Sequence, residues 1–375
     1  MKLKSVIIEL TNVCQWNFCS YCSSNSVFPW DGHRIVIDKD FLRKLLKEIV
    51  DLGVKEVEIS GGEPFTCGEL LSTCLDYLLD HSIRVKIFTN FLFHFSVIEK
   101  KLLKPYKHCS HLVEIHVPFN TTDVLTYMKL LRNDVKIDNP EKTLHALDSF
   151  LTLCNNILRT KKFYKYKIGL HFLVTKINYM DYTKVVEYAN TLGIDEVSAL
   201  RLVKHGRAIK YWEILEMNSR DWLNFFTNLE KFLMKYRGYT TLRFGCPINW
   251  FFLVKPVTVR ELILSNNCLK LSFKCLGGIE HLYIAPTLNI YPCVGAKDFE
   301  QLKLGNYKYL NTLIDLFGTK EYGKFLELKK NYVAEECKKC PYFNNYCDSK
   351  CLVQKIMYNT KIDPLCEIMK QIHGD

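Results

Sequence analysis

Cys14, Cys19 and Cys22 share one short loop, spaced C-x4-C-x2-C. The loop follows a strand-like run, Ser5-Val6-Ile7-Ile8-Glu9-Leu10-Thr11-Asn12-Val13, and precedes a helical region. Thiolate is a soft ligand. Three thiolates on one loop can hold three irons of a cubane cluster and leave the fourth iron open to a substrate or cofactor. The same residues also suit a zinc site or three buried thiols. A second group lies far along the chain: Cys268, Cys275, Cys293, Cys337, Cys340, Cys347, Cys351 and Cys366. Eight thiolates are what two fully ligated [4Fe–4S] clusters need. Two zinc ions would use the same number, and spacing alone leaves both open.

Bulk composition limits the setting. The chain has 375 residues, 48% of them hydrophobic and 16 of them cysteine. That length allows two or three domains, or one large barrel with an appendage. There is no apolar stretch long enough to span a membrane and no signal peptide, so a cytoplasmic location is expected. In a reducing compartment so many cysteines point to metal binding rather than disulfides. Cys67, Cys74, Cys109 and Cys154 read as small buried hydrophobes. A net charge of +11 suits an acidic partner. No basic stripe interleaved with aromatics accompanies it, which argues against a zinc-stabilised nucleic-acid-binding protein.

The elements that must position the first loop come from periodicity. Strands are expected at Val54 to Ser60, Val85 to Thr89, Leu112 to Val117, Tyr166 to Val174 and Glu196 to Leu200. Helices are expected at Asp38 to Asp51, Gly68 to Leu79, Lys142 to Arg159 and Tyr182 to Leu192. Asp38 is the expected N-cap of the first helix and Gly53 its stop. With the opening strand this makes six β/α units, hence parallel strands in an α/β barrel or doubly wound sheet. A further helix is expected at Asp221 to Tyr236. Boundaries are placed near 210 and 266, giving a barrel (1–210), a bridging region (211–265) and a cysteine-rich tail (266–375). The tail reads as mostly turns and cysteines, too irregular for a conventional core and dependent on metal for folding.

The second strand ends in Gly61-Gly62-Glu63-Pro64 and the third in Thr89-Asn90. Two glycines let backbone approach a ligand closely, and their carbonyls with Glu63 can accept hydrogen bonds from an ammonium group. Tyr21 offers an aromatic edge beside the last cysteine. Glu114, His116 and His171, on barrel strands, read as hydrogen-bonded core or rim groups. The cysteine loop, the aromatic, GGEP, TN, Val174-Thr175-Lys176-Ile177-Asn178 and Arg201-Leu202-Val203-Lys204-His205-Gly206-Arg207-Ala208 together resemble the radical S-adenosylmethionine (SAM) enzymes over residues 5 to 210. The spacing departs from the family's commoner C-x3-C-x2-C.

That resemblance implies a partial (β/α)6 TIM-like barrel. Cys14, Cys19 and Cys22 would hold a SAM-binding [4Fe–4S] cluster, with Tyr21, Gly61, Gly62, Glu63, Asn90 and Arg201 around the cofactor. Ile290-Tyr291-Pro292-Cys293, Leu304-Gly305-Asn306 and the Cys337-to-Cys366 pattern resemble the SPASM extension of the same enzymes. It implies two auxiliary [4Fe–4S] clusters, one on Cys268, Cys275, Cys293 and Cys351, the other on Cys337, Cys340, Cys347 and Cys366. Cys246 competes with Cys268 for the first. The activity implied is cleavage of SAM to a 5′-deoxyadenosyl radical that abstracts hydrogen from a substrate C–H bond, with no general base named. The expected use is maturation of a ribosomally made peptide; small-molecule dehydrogenation and formylglycine-type protein maturation are the alternatives. A reductant such as ferredoxin or flavodoxin is implied. Because no winged-helix segment precedes the first strand, either a separate leader-recognition protein or direct capture in the open barrel is expected.

Overall fold

The computed structural model describes residues 3–131, 140–244, 268–271, 274–340, 343–344, 347–349, 351–366 and 368. Six parallel strands appear where expected: β1 (Ser5–Glu9), β2 (Glu56–Ser60), β3 (Arg84–Phe88), β4 (Val113–Pro118), β5 (Lys167–Val174) and β6 (Glu196–Arg201). The helices Lys39–Asp51, Gly68–Asp80, Pro140–Phe163, Tyr182–Thr191 and Ser219–Lys235 follow the periodicity. Asp38 caps the first by accepting from the amides of Asp40 and Phe41. Gly53 beyond its end takes a φ of +68°, a left-handed position that glycine adopts without a Cβ clash.

The sheet does not stop at six strands. β7 (Thr241–Phe244) and β8 (Leu269–Leu271) continue it in parallel beyond β6. At the other edge, β9 (His281–Ile284) pairs in parallel with β1, and β10 (Asn289–Tyr291) and β11 (Gly305–Asn306) follow antiparallel. The eleven strands run in the order β11-β10-β9-β1-β2-β3-β4-β5-β6-β7-β8. The tail therefore departs from the expected irregular segment. Leu282, Ile284, Ile290, Leu304, Tyr307 and Leu316 are fully buried in the same core as the barrel strands.

Alternation sets the two faces of the sheet. Val6 and Ile8, Val57 and Ile59, Val85 and Ile87, and Val113 and Ile115 are wholly buried. Each such side chain contributes about 1.5–3 kcal/mol on burial. Between them stand Glu56, Glu58, Lys86, Glu114 and His116. Arg243 on β7 acts electrostatically on Glu56 and Glu58 of β2, although several strands separate them in the order. Only a sheet curled on itself brings those groups together, so the polar face is the lumen. Among the described residues no helix is long and apolar enough to cross a membrane.

Candidate functional site

The cysteine loop sits over the ends of β1 and β2. Gly62 N donates to Thr11 O at 2.5 Å and Glu63 N to Val13 O at 2.7 Å. A Cβ on Gly62 would lie 2.3 Å from Val13 O, so the turn after β2 lies directly against the start of the loop. Ser24 Oγ returns to Gly61 O at 3.0 Å. Glu63 is fully buried. Its carboxylate accepts from Phe65 N at 3.1 Å, Thr89 Oγ1 at 2.8 Å and Asn90 N at 2.7 Å. It thereby ties the GGEP turn to the TN end of β3. Burial pushes its carboxyl up to about 7 against those three donors.

Asn90 reaches back to the loop, its Nδ2 donating to Cys14 Sγ at 3.4 Å. Tyr21, half-buried, accepts from Asn120 Nδ2 at 2.7 Å, and Asn120 Oδ1 accepts from Leu173 N. The loop is thus joined to the ends of β4 and β5. Burial is the main force raising the Cys14 thiol well above its usual value, followed by Glu63, Cys19 and Cys22; Cys19 is pushed up to about 12 by burial and then Cys22. Cys14 feels both Cys19 and Cys22, so the three thiols share one confined space, which is the condition for ligands of a common group. Trp16 packs with Cys14, and among the described residues its buried indole N–H has no hydrogen-bond partner. A donor on a ring that packs with Cys14 and Cys19 fits a cluster that accepts hydrogen bonds at its sulfurs.

The strand-end motif after β6 contributes differently from expectation. Arg201 lies on the face of β6 shared with Val197 and Ala199, and it pairs at 2.8 Å with Asp363, both nearly inaccessible. Arg207, which the motif after β6 includes but to which the sequence assigned no role, holds the cysteine loop. Its guanidinium donates to Cys19 O at 2.9 Å, to Ser26 O at 2.6 Å and to Asn17 Oδ1, and its amide donates to Cys22 O at 3.0 Å. Gly206 before it has a φ of +55°, and a Cβ there would lie 2.4 Å from Cys22 O. The glycine is what allows the two loops to touch.

In the C-terminal part, Cys337, Cys340, Cys347 and Cys366 line one cavity of about 40 Å³ together with Phe343, Ser349 and Asp363. Cys293 is raised by burial and then by Cys351 and Cys275, which places those three in mutual reach. Cys268 stands at the start of β8, its Sγ 3.4 Å from Gly238 O and 3.6 Å from Tyr239 O, while Cys275 lies beyond the other end of that strand. Cys246 lies outside the described residues. Between the two sets Lys355, 2% exposed, donates to Tyr332 O and Ser349 Oγ. It feels both Cys337 and Cys351, a buried cation where thiolate charge would accumulate.

Residues 8–158 match the radical SAM superfamily and residues 275–341 match the iron–sulfur cluster-binding SPASM domain. The chain thus carries a radical SAM domain followed by a C-terminal iron–sulfur cluster-binding SPASM domain. Among curated proteins it is 24% identical over 222 residues to the GTP 3′,8-cyclase of Aliarcobacter butzleri, covering 54% of this chain and 64% of that one. It is 31% identical over 88 residues to the PqqA peptide cyclase of Bradyrhizobium diazoefficiens, 24% of this chain and 21% of that one. The chain spans less than two thirds of each of these relatives.

Solved structures resemble it over nearly its whole length. Streptococcus suis SuiB bound to its precursor peptide SuiA superposes with a TM-score of 0.66 at 17% identity, covering 96% of this chain and 74% of that one. The protein anSMEcpe with bound AdoMet and the Cp18Cys peptide gives 0.65 at 17%, covering 100% and 96%.

Proposed function

We propose that the chain is an enzyme that reductively cleaves SAM and abstracts hydrogen from a C–H bond of a peptide or protein. The observation that carries this reading is the Cys14, Cys19 and Cys22 loop packed on the Gly61-Gly62-Glu63 turn. The three cysteines would hold a [4Fe–4S] cluster. When bound, it supplies the electron that turns SAM into methionine and a 5′-deoxyadenosyl radical. Glu63 and the glycine carbonyls would receive the ammonium of SAM, with Asn90 and Tyr21 beside the adenosine. Cys337, Cys340, Cys347 and Cys366 would hold one auxiliary cluster. Cys275, Cys293 and Cys351 would hold another, completed by Cys268 or Cys246.

A peptide substrate is supported by SuiB with its precursor peptide and anSMEcpe with its peptide, both alike across nearly the whole chain. The likeness to GTP 3′,8-cyclase favours a small-molecule substrate instead, but it covers only 54% of the chain. Ferredoxin or flavodoxin would serve as reductant. The test is anaerobic reconstitution followed by dithionite and SAM. The wild type is expected to bind about twelve irons and form 5′-deoxyadenosine, and a Cys14/Cys19/Cys22→Ala variant is expected to form none. An iron-loaded wild type that forms none refutes the reading.

A further inference from the structure

The buried lysine between the two C-terminal cysteine sets has no role in the chemistry proposed above. Lys355 lies on the short helix Leu352–Met357, one turn beyond Cys351, and its amide donates to Cys351 O at 3.1 Å. The residue is 2% exposed, and lysine is almost never buried so fully unless it is paired. Its ammonium donates to Tyr332 O at 2.5 Å and to Ser349 Oγ at 2.9 Å. Both acceptors are neutral. Among the described residues, no carboxylate comes within ion-pair distance of it. The acidic groups that act on it are engaged elsewhere: Asp363 pairs with Arg201 at 2.8 Å, and Asp348 accepts from Cys275 N at 2.9 Å. Burial lowers the lysine's pKa, while Cys337, Asp363, Cys351 and Asp348 oppose the fall. A buried cation without a counter-ion in contact is costly. Metal-bound cysteines are thiolates, so clusters on the two sets would supply the missing negative charge.

Ser349 decides which sulfur feels the cation most closely. The residue is 2% exposed, and its φ of +70° is a left-handed position uncommon for serine. Such backbone persists only where the surroundings enforce it. Its oxygen accepts from the ammonium, which leaves its own proton to donate. Two acceptors are near, Tyr332 O at 3.5 Å and Cys337 Sγ at 3.6 Å. An O–H reaches an oxygen at about 2.5–3.0 Å, and Tyr332 O already takes the ammonium. Sulfur is larger and bonds at longer range, so the proton points to Cys337 Sγ. Ammonium, hydroxyl and sulfur thus form one chain of hydrogen bonds.

The two neighbours of Lys355 belong to different sets. Cys337 lines the cavity of about 40 Å³ with Cys340, Cys347, Cys366, Ser349 and Asp363. Cys351, at the N-terminal end of the helix that carries Lys355, acts on Cys293 together with Cys275. One ammonium therefore stands against both sets.

We propose that Lys355 raises the reduction potential of both auxiliary sites, with Ser349 directing its charge onto the Cys337 set. The proposal rests on the reading above in which both sets hold [4Fe–4S] clusters. Reduction of such a cluster adds one electron, taken from the reductant, and transfers no atom. The added negative charge is stabilised by a fixed cation, and a hydrogen bond to a ligand sulfur acts in the same direction. Lys355 thus raises both potentials, and the Ser349 hydroxyl raises that of the Cys337 set alone. A unit charge two hydrogen bonds away from a sulfur, at the effective dielectric of about 20 that suits protein sites, moves a one-electron equilibrium by at least about tenfold, which is about 59 mV.

The test is a potentiometric titration, followed by electron paramagnetic resonance, of the full, iron-reconstituted chain. A Cys14/Cys19/Cys22→Ala background leaves the auxiliary clusters as the source of signal. Lys355→Gln keeps a neutral donor and removes the charge; it is expected to lower both midpoint potentials by at least about 59 mV. Lys355→Arg, which keeps the charge, is expected to restore them toward those of the parent. Ser349→Ala is expected to lower one midpoint and leave the other in place. Two unchanged midpoints in Lys355→Gln, with about eight irons retained, overturn the proposal, and a shift in only one overturns the shared placement. If Lys355→Gln does not hold its iron, Ser349→Ala decides, and unchanged midpoints there overturn the proposal. A parent chain that binds no iron at the C-terminal cysteines is a failure of the cluster reading itself, and iron analysis shows it before any potential is read.

Discussion

Replacing Arg207 by methionine removes the clamp on the cysteine loop while keeping most of the side-chain volume. The guanidinium makes charge-assisted hydrogen bonds to Cys19 O, Ser26 O and Asn17 Oδ1, and Asn17 and Ser26 are buried. Hydrogen bonds to a charged donor contribute about 1.5–3 kcal/mol each, and a buried acceptor left without one costs about 1–3 kcal/mol. Cys19 is half-buried, so water replaces part of the loss, and a net cost of about 3 kcal/mol is expected. In a chain of this length that is about 4 °C in melting temperature. The loop should lose more than the fold, because the three bonds converge on the segment between Cys14 and Ser26. Iron retained after anaerobic desalting should fall selectively by about four atoms, and 5′-deoxyadenosine formation should fall with it. Arg207→Lys should rescue little, since an ammonium lacks the planar fork that reaches three acceptors. A methionine variant with wild-type iron, melting temperature and 5′-deoxyadenosine yield would refute the clamp.

Three further outcomes follow from the same geometry. Gly62→Ala should abolish 5′-deoxyadenosine formation, because its Cβ would meet Val13 O at 2.3 Å, whereas Gly32→Ala, with nothing within 4 Å, should leave the yield unchanged. Arg201→Ala should cost about 3–5 kcal/mol in denaturant unfolding, since it strands the buried Asp363 carboxylate; a loss under about 1 kcal/mol would contradict a buried pair. SAM binding, measured calorimetrically on the iron-loaded protein, should weaken as pH falls through about 7, because Glu63 is raised to about 7 by burial and acid neutralises the carboxylate that would face the ammonium. Affinity flat from about pH 8 to pH 6 would place that recognition elsewhere.

The rim of the barrel was readable because its motifs sit at strand ends and the strands alternate visibly. GGEP and TN meet in space because β2 and β3 are neighbours in sequence and in the sheet, which local pattern conveys. Arg207 was not readable, since the groups it holds, at Asn17, Cys19 and Ser26, lie at the far end of the barrel sequence. Parity along β6 was an available clue: Arg201 shares a face with Val197 and Ala199, and that face turns from the lumen. The strands of the tail were missed because β9 and β10 have only four and three residues, too few for alternation to show. Their placement depends on contacts such as Ser5 Oγ with His281 Nδ1, separated by 276 residues.

That pairing of β9 with β1 gives the protein a birth order. The strand that covers the outer edge of β1 leaves the ribosome 276 residues after it, as the Ser5 and His281 pair shows. At about 5–20 residues per second, the nascent barrel shows a bare row of backbone donors and acceptors for roughly 15 to 55 seconds. An uncovered edge of this kind invites pairing with another chain. The cysteine loop hangs from the same strand. During that interval the loop that would hold the catalytic iron and the edge that must be shielded are exposed together.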